Sequence, residues 1–224
     1  MIFMNFFTDT NVPIAYTVIH DKWHEKANKF IENYSDSLFW SNLVRNEYND
    51  KFGEILDDID YFFEIAEDGL KINKNDFVNY YAFESFILDK TAICKLDDIK
   101  KHNIIEHFWN KNSFSEGISS IVFIKFKNFR KDFDKLYLLR DKRLNKIMKL
   151  HECGENNYLK YVNYALKLNS WGIHSPDCKI ILDAHDCGIK HKDLVFISLD
   201  SKMHEALSGH DISFLNIAEF KSCN

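Results

Sequence analysis

Four acidic side chains stand in settings that suit shared chemistry: Asp9 in FFTDTNVPIAY, Glu47 in SNLVRNEY, Asp177 in HSPDCKIILDAHDCG and Asp200 in FISLDSKM. Carboxylates are hard oxygen donors. A set of them without supporting His or Cys is how a protein holds Mg²⁺ or Mn²⁺ rather than zinc. The elements around them must bring together residues from both ends of the chain.

Residues 2–8 (IFMNFFT) are mostly apolar and aromatic, which predicts a buried strand with Asp9 at its C-terminal end. Thr10 or Asn11 can cap a following helix, with Pro13 in the first turn, where its missing N–H costs nothing. LFW at 38–40 predicts a second short strand, and Ser41 is a good N-cap for a helix that carries Glu47 within two turns. Ser175 is expected to cap a helix with Pro176 and Asp177 in its first turn; Ile180, Ile181, Ala184 and Gly188 continue one small or apolar face. DLVFISLD predicts a strand over 194–199 that delivers Asp200 at its end. The carboxyl ends of parallel strands are where ligands collect in open α/β sheets.

Each acid has a plainer explanation. Asp9 and Asp200 suit caps or turns, Asp177 suits the positive end of a helix dipole, and Glu47 suits a solvated helix face. Thr10, Asn11 and Ser198 are expected either to orient the carboxylates from behind or to serve only as cap and turn residues. Asp183 and Asp186 lie six and nine residues beyond Asp177 on the same helix, so at about 100° per residue they point away from it, and solvation is their expected role. A competing zinc set of His174, Cys178, His185 and Cys187, with His151 and Cys153 in addition, has the right residue types but no ligand spacing of a known finger or ribbon. Phosphate-binding GxxxxGK[ST], dinucleotide-binding GxGxxG and the GxSxG elbow are absent. DTN lacks the second Asp of the DxD found in haloacid-dehalogenase-like phosphatases.

In order, spacing and setting, these segments resemble the PIN-domain nucleases, including the VapC-like toxins. The resemblance rests on DTN at 9–11, Ser41 six residues before Glu47, Asp177 with Ala184 and Gly188 further along its helix, and Ser198 two residues before Asp200. It covers roughly residues 1–52 and 172–220. It implies a three-layer α/β/α fold with a mainly parallel sheet, interrupted here by a mainly helical insertion at about 54–170 within a single domain. It further implies Mg²⁺ or Mn²⁺ held by Asp9, Glu47, Asp177 and Asp200, and hydrolysis of phosphodiester bonds, most naturally in RNA, leaving a 5′-phosphate and a 3′-hydroxyl. An antitoxin protein and a homodimer are further partners it suggests. A non-catalytic PIN-like module that binds RNA or protein is the alternative.

At 224 residues and 46% hydrophobic content the chain can bury a substantial core. Two prolines and seven glycines leave no flexible linker. Five cysteines without CxxC spacing fit reduced thiols, and no apolar run reaches membrane-spanning length, so a soluble cytoplasmic protein is expected. The net charge of −5 is unevenly spread: residues 125–149 hold ten Lys or Arg against three Asp, a local balance of +7 that leaves −12 elsewhere. Lys127, Arg130, Lys131, Arg140 and Arg143 are the expected phosphate contacts. Phe126, Phe129 and Tyr137 could stack on bases, but their near-helical spacing predicts core contacts more strongly. Ile55, Ile59, Phe62 and Phe63 likewise recur at helical intervals, whereas ISSIVFIKF at 118–126 permits either a strand or a buried helix. VNYALKLN before Trp171 predicts one more helix.

Overall fold

The computed structural model describes residues 4–153 and 157–223; residues 2 and 3 of the expected first strand lie outside them. In chain order the elements are β1 (Asn5–Thr8), α1 (Asn11–Thr17), α2 (His24–Asn33), β2 (Leu38–Ser41), α3 (Asn42–Ile72), α4 (Tyr80–Lys90), α5 (Asp98–Lys111) and α6 (Ser119–Ile147). They continue as β3 (Lys149–His151), α7 (Asn157–Lys160), α8 (Val162–Ser170), α9 (Asp177–Lys190), β4 (Leu194–Ile197), α10 (Ser201–Ser208) and β5 (Glu219–Lys221). The chain divides into two compact units. One comprises the residues up to Thr17, Trp23–Asp50 and the residues from Lys142 on; the other comprises Val18–Lys22 and Lys51–Asp141.

The first unit is mixed α/β. Its five strands are all parallel, in the order β3-β2-β1-β4-β5, with helices around the sheet. From β1 the chain winds outward through β2 and β3, then returns to the other side of β1 for β4 and β5. The winding therefore reverses between β1 and β4. With right-handed crossovers, helices on either side of that point lie on opposite faces, and a crevice opens beyond the carboxyl ends of the two strands. Asp9 follows β1 and Ser198 follows β4, so the crevice begins at these residues.

Apolar strands fold here because both faces are covered, as a parallel sheet requires. Phe7 stacks on Phe196 of the neighbouring strand at 6.2 Å, and Phe6 meets Phe30 of α2 edge-on at 5.3 Å. Helix α9 lies against β2 and β4, and nine of its residues are buried. Pro13 sits in the first turn of α1, and Ser41 Oγ accepts the Val44 N–H at 3.3 Å to cap α3, as the sequence predicts. Ser175 does not cap α9. Pro176 occupies the N-cap position without a side-chain bond, and the first turn is closed by main chain: Cys178 N–H donates to His174 O, and Lys179 and Ile180 N–H both donate to Pro176 O.

The second unit is helical around an aromatic core. From Ser119 on, the 118–126 run is helix, not strand, because only a helical repeat puts Val122, Phe126 and Phe129 on one buried face. Phe126 contacts Phe108 at 5.0 Å and Phe63 at 5.4 Å, while Phe83 reaches Phe108 at 5.3 Å. Phe126, Phe129 and Tyr137 are all buried and serve packing, leaving no ring face for a base. Asp97 caps α5, accepting the Lys100 N–H at 2.9 Å and the Lys100 ammonium at 2.6 Å. Asp97→Ala is expected to cost about 1 kcal/mol in urea unfolding, with Asp97→Asn restoring most of it. Equal losses in the two variants would assign the effect to the ion pair instead.

Candidate functional site

Asp9 is the centre of a polar network. It is 5% exposed. The Thr10 N–H donates to its Oδ1 at 2.6 Å, while Ser198 Oγ and Asn11 Nδ2 donate to its Oδ2 at 2.8 and 2.7 Å. Its own N–H donates to Ile197 O at 2.9 Å, which extends the β1–β4 ladder by one bond and fixes the backbone at the crevice. Burial pushes the Asp9 carboxyl up to about 6; the negative charges of Asp177 and Glu47 add to the rise, against the hydrogen bonds from Ser198 and Thr10. Asp9 thus feels Glu47 of α3 and Asp177 at the start of α9, acids 38 and 168 positions away in the chain.

The three polar neighbours each hold an acid or another holder. Thr10 Oγ1 donates to Glu47 Oε2 at 2.7 Å, tying the chain after β1 to the second turn of α3. Asn11 Nδ2 also donates to Ser198 Oγ at 3.2 Å, and its Oδ1 accepts the Leu199 N–H at 2.9 Å, bridging the chain after β1 to the chain after β4. Asp200 takes a different part. Its Oδ1 caps α10 by accepting the N–H groups of Lys202 and Met203 at 2.8 and 3.3 Å. Its N–H donates to Ser198 Oγ at 3.0 Å, so it joins the network through Ser198. Among the described residues, no three of the four acids place oxygens all within 4.8 Å of one another.

Asp183 and Asp186 are not solvated. Asp183 is 1% exposed, accepts the Tyr158 hydroxyl at 3.2 Å, and has its carboxyl pushed up by burial. Asp186 meets His151 Nε2 at 3.1 Å and accepts the Tyr161 hydroxyl at 2.9 Å. The expected solvation fails because protein packs over these positions of α9: Tyr158 over Asp183 and Tyr161 over Asp186. The zinc set built on His174, Cys178, His185 and Cys187 is not assembled: His174 is exposed, His185 Nδ1 accepts the Asn216 N–H at 2.9 Å, and Cys178 lies 3.8 Å from Ala165 O. His151, Cys153 and Asp186 form the group that does converge. Its sequence signal was the pair His151 and Cys153 two residues apart, the first ending β3 and the second just beyond it.

The expected phosphate contacts differ in how their charge is used. Arg130 pairs with Asp60 and lies 3.7 Å from Glu67, and Arg143 pairs with Glu32, so both guanidinium groups are engaged by carboxylates. Arg140 is half-buried, whereas Lys127 and Lys131 are exposed on α6. Arg143 belongs to the first unit and the other four to the second. All five cysteines are free of disulfides, and among the described residues no helix is long and apolar enough to cross a membrane. No family model, curated protein or solved structure matches the chain.

Proposed function

We propose that the chain is a metal-dependent nuclease acting on RNA, a PIN-like enzyme with Asp9 at the centre of its site. One observation carries this reading: a buried carboxylate lies within electrostatic reach of two further acids at the crevice where the winding of a parallel sheet reverses. An unneutralised charge there opposes folding, and a cation removes the cost. The donors are hard oxygens, which fits Mg²⁺ or Mn²⁺. A single ion about 2.1 Å from each ligand spans oxygens at most about 4.2 Å apart, so this wider set fits two ions or ligation partly through water. When bound, such ions supply an activated water and offset the charge of the phosphate and its leaving oxygen.

The chain's own residues provide the positioning. Ser198 and Asn11 fix the Asp9 Oδ2, Thr10 fixes Glu47, and Asp200 orients Ser198 while its Oδ2 remains for ligation. Lys127 and Lys131 are exposed and of a residue type that can meet an RNA backbone. A toxin whose acidic site is covered by an antitoxin is one form of this function.

Purified protein is expected to cut RNA with Mg²⁺ or Mn²⁺ and not with EDTA, and Asp177→Asn is expected to lose cleavage while keeping its circular dichroism. The products should carry 5′-phosphates. RNA binding without cleavage under any metal condition would replace the enzyme with the non-catalytic PIN-like module.

A further inference from the structure

We infer that His151, Cys153 and Asp186 form a binding site for a zinc-class transition-metal ion, separate from the Asp9 centre. Their ligand atoms all lie within 4.8 Å of one another, and His151 Nε2 is 3.1 Å from Asp186 Oδ2. An imidazole nitrogen, a thiol sulfur and a carboxylate oxygen make a borderline-soft set, which favours Zn²⁺ and disfavours Mg²⁺. Tetrahedral bonds of about 2.0–2.3 Å place ligand atoms roughly 3.3–3.8 Å apart, so rotamer adjustments within this group suffice to close on an ion.

The surroundings are built to hold the donors in place. His151 ends β3, whose pairing sets it beside Ser41 at the end of β2, and its side chain is 4% exposed. The Tyr161 hydroxyl bonds Asp186 Oδ1 at 2.9 Å and leaves Oδ2 turned toward the imidazole. Asp183, one turn earlier on α9, is hydrogen-bonded by Ser41, Cys153 and Tyr158, which puts a second buried carboxylate next to the thiol. Two carboxylates thus sit in one helical turn, met by His151 and by Lys160 at 3.7 Å. A dication compensates them more fully and ties β3 to α9, with Asp183 as an anionic neighbour beside Cys153.

The test is anaerobic titration of the chelator-stripped full chain with Co²⁺, followed by displacement with Zn²⁺. The expected result is one equivalent with a thiolate-to-Co²⁺ charge-transfer band in the near ultraviolet, removed by Zn²⁺ and absent in Cys153→Ser. Tyr161→Phe should weaken binding by roughly tenfold or more, because partners that orient a ligand typically contribute that much. Asp9→Asn should leave the band unchanged, so loss of nuclease activity and loss of this site are read independently. No thiolate band in the native chain, or a band of full intensity in Cys153→Ser, overturns the inference. Should Cys153→Ser fail to fold, Asp186→Asn decides: a weakened band supports the site and an unchanged one overturns it.

Discussion

Gly188→Ala is expected to cost at least about 4 kcal/mol, enough to abolish folding in a protein of ordinary stability. A Cβ at position 188 would lie 1.7 Å from the backbone oxygen of Asn216 and 2.8 Å from its carbonyl carbon. The obstacle is main chain, so no side-chain rotation relieves it. Moving Asn216 away would break its N–H bond to His185 and unseat the buried Leu215 and Ile217 on either side. Ala218, whose N–H donates to Leu194 O at 2.7 Å, would be displaced too, and with it the approach to β5. Gly53→Ala is the control, because a Cβ there, at an exposed position of α3, meets nothing within 4 Å. That change should stabilise by about 0.5–1 kcal/mol. Thermal or urea unfolding of both variants distinguishes close approach from helix propensity; a Gly188→Ala protein within about 1 kcal/mol of the native one would contradict the packing described for α9.

The second large effect is electrostatic. In EDTA, native protein compared with Asp9→Asn should lose about 3 kcal/mol of stability as pH rises from 4 to above 6. The folded Asp9 carboxyl stays protonated up to about 6, while the unfolded one ionises near its ordinary value of 3.8. Between these values the native state binds more protons than the unfolded state, so unfolding free energy falls with rising pH. A shift of about two units is worth about 3 kcal/mol at 1.36 kcal/mol per unit, an order-of-magnitude figure for a buried group. Taking the difference from Asp9→Asn cancels the titration of all other carboxylates to first order. Urea unfolding of both proteins across that pH range is the measurement. A native protein that gains stability relative to the variant over this window would mean that the site stabilises ionised Asp9 unaided. Mn²⁺ should flatten the slope, since a cation favours the charged carboxylate.

The close approach at Gly188 and the raised carboxyl at Asp9 belong to the same helix-on-sheet packing. Helix α9 brings Asp177 toward Asp9 at its start, and near its end only a glycine lets the backbone of Asn216 come near. The second position therefore helps set the first, through the placement of α9. A conservative cavity-free change in this helix, tested for both stability and cleavage, would measure that coupling.

Much of the local organisation was legible because its causes are local. Runs such as FF at 6–7, LFW and LVFI have no polar residue to face water, so they form strands that must be covered. Ser41 carries its own capping oxygen, and Pro13 suits only the first turn of α1, which marks where the helices begin. The positions of Asp9 and Glu47 relative to those elements follow directly. Residues 118–126 stayed ambiguous because a short apolar, β-branched run satisfies both repeats; the aromatic surroundings of Phe63, Phe83 and Phe108 selected the helix.

By itself the sequence determined the strands around 5–8, 38–41 and 194–197 and which acids stand at the ends of such elements, because hydrogen-bond capping and apolar periodicity act over a few residues. Only the tertiary structure decided the strand order, the burial of Asp9 and its proximity to Glu47 and Asp177. It also decided that protein packs over Asp183 and Asp186, so that they meet Tyr158, Tyr161, His151 and Cys153. A residue's exposure is a property of whatever packs over it, and those neighbours come from strands and helices up to 142 positions away, as between Ser41 and Asp183. Helical periodicity states a direction; only packing states what lies in that direction.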